Sequence, residues 1–253
     1  MKKIYRCTDT VTGIFSAIYD VWKAERSTAT AGIAFKGTME QQLFCEYQEV
    51  EETEHKAIAV ENLIQKHLGY EAYWDIYHAV LAADDQKGNA ILGTMLEARK
   101  IADSHKIMNH LSHPMVEKVF ELSRSVGNEA HLFTGFVRFK ELNNQILFAE
   151  ISPKSQVLTC IAAHFSNRLP LENWMIYDKT HEMFLVHEAK KQWILVWDDN
   201  FQMENIPRYS SEEKQFEQLW KGFCSSISIE ERKNLKGQKQ HLPLHYQRDM
   251  VEF

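Results

Sequence analysis

The sequence predicts an α+β protein: a helical N-terminal region packed on a mostly antiparallel sheet of about five strands with covering helices. Three observations carry that prediction. From about Thr53 to Phe133 nearly all apolar side chains recur at helical spacing. After Gly135 the period falls to two, through five strand-like runs. From Ile229 onward the apolar period disappears and the chain turns basic.

Taken in order, Lys2-Ile4-Tyr5-Cys7 alternates like a short strand, and Thr8-Asp9-Thr10 offers a cap to a helix built on Ile14, Phe15, Ile18, Val21 and Trp22. Residues 25–38 and the acidic run Glu46 to Glu54 interrupt the pattern and read as loop and solvated linker. Three helical segments follow, carrying Ile58, Leu63 and Leu68, then Tyr73, Ile76, Val80 and Leu81, then Ile91, Met95 and Ile101. Gly69 and Asp84-Asp85 separate them. The clearest helix has Ser112 as its cap and Pro114 in its first turn, with a stripe of Val116, Val119, Phe120, Ser123, Val126, Ala130 and Phe133. Gly135 is its predicted end.

Phe136–Lys140 and Ile146–Ala149 flank Asn143-Asn144 as a hairpin, since asparagine tolerates the left-handed backbone a tight turn requires. A helix with Val157, Leu158, Ile161 and Phe165 inward precedes three runs, Trp174–Tyr177, Met183–Val186 and Trp193–Trp197. Their apolar character on both faces suggests a sheet covered on each side. Glu212 to Phe223 is a further helix. The chain thus reads as a single unit, 1–253, with a mainly helical region over 1–110, a helix-plus-sheet region over 111–228 and a basic tail over 229–253.

Composition bounds the function. With 44% hydrophobic and 25% charged residues, ten Gly and five Pro, the chain is globular rather than low-complexity. Met1-Lys2-Lys3-Ile4-Tyr5-Arg6 is charged without an apolar stretch behind it, and no run reaches the length of a membrane span, so a cytoplasmic location is expected. The net charge of −6 excludes a polycation that coats nucleic acid indiscriminately, so such contact must be local. Cys7, Cys45, Cys160 and Cys224 are too scattered for a zinc or iron–sulfur site, and no metal site is expected. Phosphate-binding glycine loops, zinc-protease, nucleophile-elbow and deaminase signatures are absent.

Several constellations remain. Between Arg232 and Arg248 lie five Lys/Arg and no Asp/Glu: Arg232, Lys233, Lys236, Lys239 and Arg248 suit phosphates. Interleaved with them, Asn234, Gln238 and Gln240 suit hydrogen bonds to bases, and Tyr246 suits stacking. A solvated extension would carry the same charges. His131 shares the polar face of its helix with Arg124 and Asn128; Glu129 flanks the apolar stripe, with Arg138 as a natural ion-pair partner. His164 and Arg168, four apart, can meet one anion, or simply complement a helix C-terminus. Asp178 and Asp198 end strand-like runs, a position that also serves ordinary turn chemistry.

Segments 126–139 (VGNEAHLFTGFVRF), 163–178 (with AHFSNR and WMIYD) and 231–246 (with ERKN and QKQHLPLHY) resemble a bacterial family described as probable DNA metabolism proteins. Leu235 and Gln247 stand where that family usually has a proline and an aromatic. The resemblance implies a radical-SAM partner protein and kinship with domains fused to uracil-DNA-glycosylase-like domains. S-adenosylmethionine and the iron–sulfur cluster would belong to that partner, since the cysteine spacing here offers no cluster site.

The leading expectation is a nucleic-acid-handling component of a DNA repair or modification system. In it the tail contacts DNA, while Arg138, His164, Arg168, Glu129 and His131 form a second polar cluster. One alternative is an enzyme acting on a damaged or modified nucleotide, with Glu129 or Asp178 as acid/base and His131 or His164 as its partner. The other is a protein–protein adaptor, without DNA contact, that docks through residues 46–54 and the helical half.

Overall fold

A computed structural model describes residues 1–24, 27–37, 43–197, 208–229 and 234–253. The chain divides into two compact units, Met1–Asn128 and Glu129–Phe253.

In the first unit β1 (Lys2–Cys7) lies between β2 (Ala31–Phe35) and β3 (Cys45–Glu49), parallel to both, in a sheet ordered β2-β1-β3. The stretches expected as loop and linker therefore each supply a strand. Ala31–Phe35 is short and carries Gly32, and Cys45–Glu49 is a polar edge strand, so neither has an apolar alternation to reveal it. The first strand is the centre of this separate sheet and does not join the larger one. Helices α1 (Val11–Ala24), α2 (Glu54–Leu68), α3 (Tyr70–Leu81) and α4 (Lys87–Ala98), a 3-10 turn at Ser104–Asn109 and the start of α5 (Pro114–Phe136) complete the unit. Ile14, Ile18, Ile76, Ile91 and Val119 are fully buried, as their spacing predicts; in α2 Leu68 is buried together with Val60 and Ile64, while Ile58 is exposed, because the helix turns the 57, 60, 64 and 68 face inward. Gly69 joins α2 to α3 at φ +90°, where a Cβ would also strike the His105 ring at 2.8 Å.

Lys87 is 1% exposed. Its ammonium donates to the Ala82 carbonyl at 2.5 Å and pairs with Asp9 at 2.6 Å, which ties the segment after β1 to the start of α4.

The second unit is a five-stranded sheet ordered β4-β5-β6-β7-β8: Lys140–Glu141, Leu147–Ile151, Trp174–Asp178, Met183–His187 and Ile194–Trp197. It is mostly antiparallel, but β5 and β6 run parallel, joined through α6 (Leu158–Arg168). That strand, helix, strand succession requires a crossover and places the carboxyl ends of β5 and β6 side by side. One face of the sheet packs Trp174, Ile176 and Leu185 against Ala130 and Phe133 of α5 and Ile161 and Phe165 of α6. The other carries a smaller cluster of Phe148, Tyr177 and Phe184. Gly135 does not end α5, which continues to Phe136, so the predicted strand 136–140 shortens to Lys140–Glu141. Beyond the sheet come α7 (Glu213–Ser226), α8 (Leu235–His241) and α9 (Leu244–Gln247). Among the described residues no helix is long and apolar enough to cross a membrane.

Candidate nucleic-acid interface

The tail is anchored rather than free. Tyr246, expected to stack on a base, is instead 5% exposed, with its ring 4.9 Å from Phe133 and 5.4 Å from Phe136. Burial pushes its hydroxyl up to about 12. The aromatic belongs to the core, because α9 presents its one large ring to the gap beside α5. Asn234 is spent as well: its side-chain oxygen accepts from the Gly237 N–H at 2.9 Å and caps α8. Lys236, Lys239 and Gln240 are exposed and, at i, i+3 and i+4, share one face of α8, while Gln238 is exposed on the opposite side. Arg232 and Lys233 lie outside the described residues.

Past α9 the chain crosses the carboxyl ends of β5 and β6. Lys179, directly after β6, pairs with Asp249, which also accepts from the Ser152 hydroxyl at 3.2 Å, directly after β5. Arg138, the expected partner of Glu129, pairs instead with Glu252: its Nη2 and Nε donate to one carboxylate oxygen at 2.8 and 3.2 Å. Its guanidinium also lies 5.9 Å from the centre of the Trp220 ring. Burial alone would raise the Glu252 carboxyl, but the Arg138 and Trp220 hydrogen bonds and the Arg138 charge hold it below its ordinary value. Lys140 pairs with Glu217 of α7 at 2.8 Å and lies 5.3 Å from the centre of the Tyr209 ring. Tyr209 is fixed by its bridge to Leu142 at the β4 edge.

These groups enclose a pocket of about 180 Å³. Its wall brings together Arg138, Lys140, Lys179 and Arg248, with Tyr209 and Glu150. Arg248 is exposed and, among the described residues, has no carboxylate at ion-pair distance. Two arginines expected to bind nucleic acid thus line one concavity, together with two lysines that sequence reasoning missed because nothing local marks them.

The remaining candidates are placed differently. Glu129 is 8% exposed, and its two oxygens accept from the Lys154 and Ser155 amides at 2.7 and 3.1 Å, which fixes the turn after β5. Asp178 is fully buried and accepts from the Thr180 and His181 amides and, at 2.6 Å, from His181 Nδ1, so its histidine partner is neither His131 nor His164. The Asp-x-x-His spacing was the signal for that pair. Asp198 lies outside the described residues. His131, His164 and Arg168 are exposed. The expected second polar cluster does not form: Glu129 is committed to backbone amides and Arg138 to Glu252, and no hydrogen bond or ion pair among the described residues joins the five. His245, whose spacing from His241 is interrupted by Pro243, has its Nε2 buried without a hydrogen-bond partner among the described residues.

Among the described residues no group of three or more His, Cys, Asp or Glu is placed to hold a metal ion. Burial pushes the Cys7 thiol up to about 12 and Cys160 up to about 11, which keeps both in the unreactive thiol form. In the first unit a pocket of about 400 Å³ beside Trp22, Leu63, Met95 and Arg99 is lined by none of the candidate catalytic or nucleic-acid-binding residues.

A family model described as a domain of unknown function, DUF4130, matches residues 85–252. That match takes in α4, α5, the five-stranded sheet and the tail as far as Glu252. No curated protein matches the chain.

Proposed function

The chain belongs to the DUF4130 family over residues 85–252, and for it we propose a nucleic-acid-handling role in a DNA repair or modification system, with phosphate contacts centred on the pocket beside β5 and β6. The observation that carries this reading is the convergence of Arg138, Lys140, Lys179 and Arg248 on one small polar concavity in a chain of net charge −6. Three of these cations are held by Glu252, Glu217 and Asp249, so a phosphate first meets the exposed Arg248 and gains the others as it exchanges with their carboxylates. Lys236, Lys239 and Gln240 of α8 add an exposed basic face from the same C-terminal segment. Phosphate contacts of this kind position a strand without reading its sequence.

The resemblance carried by segments 126–139, 163–178 and 231–246 adds a radical-SAM protein as the partner that supplies the chemistry. This chain then supplies the hold on the strand. The test is fluorescence anisotropy of labelled single- and double-stranded oligonucleotides titrated with the purified protein at two salt concentrations. Binding that weakens as salt rises supports the proposal. Absence of binding to both at low salt overturns it.

A further inference from the structure

Three of the pocket's four cations, Arg138, Lys140 and Lys179, are paired, and two of their carboxylates come from the same short stretch, residues 248–253, which follows α9. Asp249 holds Lys179 and Glu252 holds Arg138. We propose that this C-terminal strap is a built-in competitor for phosphate: Asp249 and Glu252 occupy the places on Lys179 and Arg138 that the phosphate oxygens of a bound strand take, and binding displaces them. The inference rests on the nucleic-acid reading above and assigns that site its regulation.

The contact geometry supports exchange. Arg138 meets Glu252 through Nε and Nη2 together, the edge by which a guanidinium grips either a carboxylate or a phosphate, so one anion can replace the other without moving the arginine. Lys179 offers an ammonium with three donors at the end of β6, and its side chain is 36% exposed, so an incoming anion reaches it from solvent. Arg248, at the start of the strap, is the pocket's cation without a carboxylate among the described residues and is the natural first contact.

The strap is also built to yield locally. Tyr246 is locked between Phe133 and Phe136, so α9 stays in place while the residues after it give way. Beyond Tyr246, Met250 is the one strap side chain that is fully inside, at 7% exposure. The strap's polar attachments among the described residues include the two ion pairs, the Ser152 hydroxyl, the Trp220 hydrogen bond to Glu252 and the Met250 amide on the Gln247 carbonyl, and the ion pairs are the contacts that salt and anions weaken. If the pairs were only structural pins, removing them would loosen the tail and gain nothing in binding.

The test is an anisotropy titration of a fluorescein-labelled single-stranded oligonucleotide with the wild-type protein and with the Asp249→Asn/Glu252→Gln variant, each checked by thermal melting. Alongside it, hydrogen exchange at residues 248–253 of the wild type is followed with and without the oligonucleotide. The expected result is tighter binding by the variant, by about fivefold or more at low salt, and faster exchange of the wild-type strap when the oligonucleotide is bound. Wild-type binding that the variant matches or falls below overturns the strap inference and leaves the phosphate reading standing. Should the variant fail to fold, slower or unchanged strap exchange in the bound wild type overturns the inference by itself. If neither protein binds, both readings fail.

Discussion

The ring of Tyr246 meets that of Phe133 edge-on, with centroids 4.9 Å apart, and so joins a polar, basic tail to the core of the second unit. Tyr246→Ala removes most of a buried aromatic and is expected to cost about 3 kcal/mol in that unit, measured by urea unfolding followed by circular dichroism. Tyr246→Phe keeps the ring and should stay within about 1 kcal/mol of wild type. Equal losses in the two variants would contradict packing as the anchor.

Glu129 acts here as a support for the turn after β5. Glu129→Ala strips two amides, those of Lys154 and Ser155, of their acceptor and should destabilise the unit by about 1–3 kcal/mol in the same assay. Glu129→Gln retains one acceptor oxygen and should lose less. A Glu129→Ala protein of unchanged stability would mean that the amides find other partners.

In the first unit, Asp9→Ala leaves the Lys87 ammonium buried with, among the described residues, the Ala82 carbonyl and the face of Phe35, 5.4 Å from its ring centre. Because Asp9 itself is half exposed, the expected cost is about 1–3 kcal/mol rather than the full penalty of an orphaned internal charge. Lys87→Met removes the charge along with its partner's role and should be the milder change, which a paired comparison of unfolding midpoints would reveal.

Burial, then the charges of Lys154 and Arg248, lower His245 below its ordinary 6.5, with Glu129 acting in the opposite direction. The unfolded chain therefore takes up its proton at a higher pH than the folded chain does. Stability is full above about pH 6.5 and falls as the pH drops through that value toward the folded pKa. His245→Phe should flatten this part of the stability profile in urea titrations at a series of pH values; an unchanged slope would assign the effect to another group.

The helices were legible because their apolar positions repeat over several turns, as in the α5 stripe from Val116 to Phe133, all buried as the spacing requires except the half-buried Phe120. Strands β2 and β3 were not, since a short Gly-containing segment and a polar edge take their structure from β1 across the sheet rather than from their own pattern. The parallel pairing of β5 and β6 was readable in principle from the helix between them. Tyr246 was misread because one aromatic in a four-residue helix has no period, and its burial is decided by the gap it fills. Of the candidate site, Arg138 and Arg248 were visible as charges. Their convergence with Lys140 and Lys179, and the carboxylates that hold three of these four, depends on contacts across the fold that no local spacing encodes.

The most direct measurement is the salt dependence of oligonucleotide affinity for wild type and Arg248→Ala. If Arg248 contacts a phosphate in the pocket, the variant binds more weakly and its slope of log affinity against log salt is shallower by about 0.7 for a single strand or about 0.9 for a duplex. A variant with the same affinity and the same slope would contradict the assignment of this pocket to phosphate.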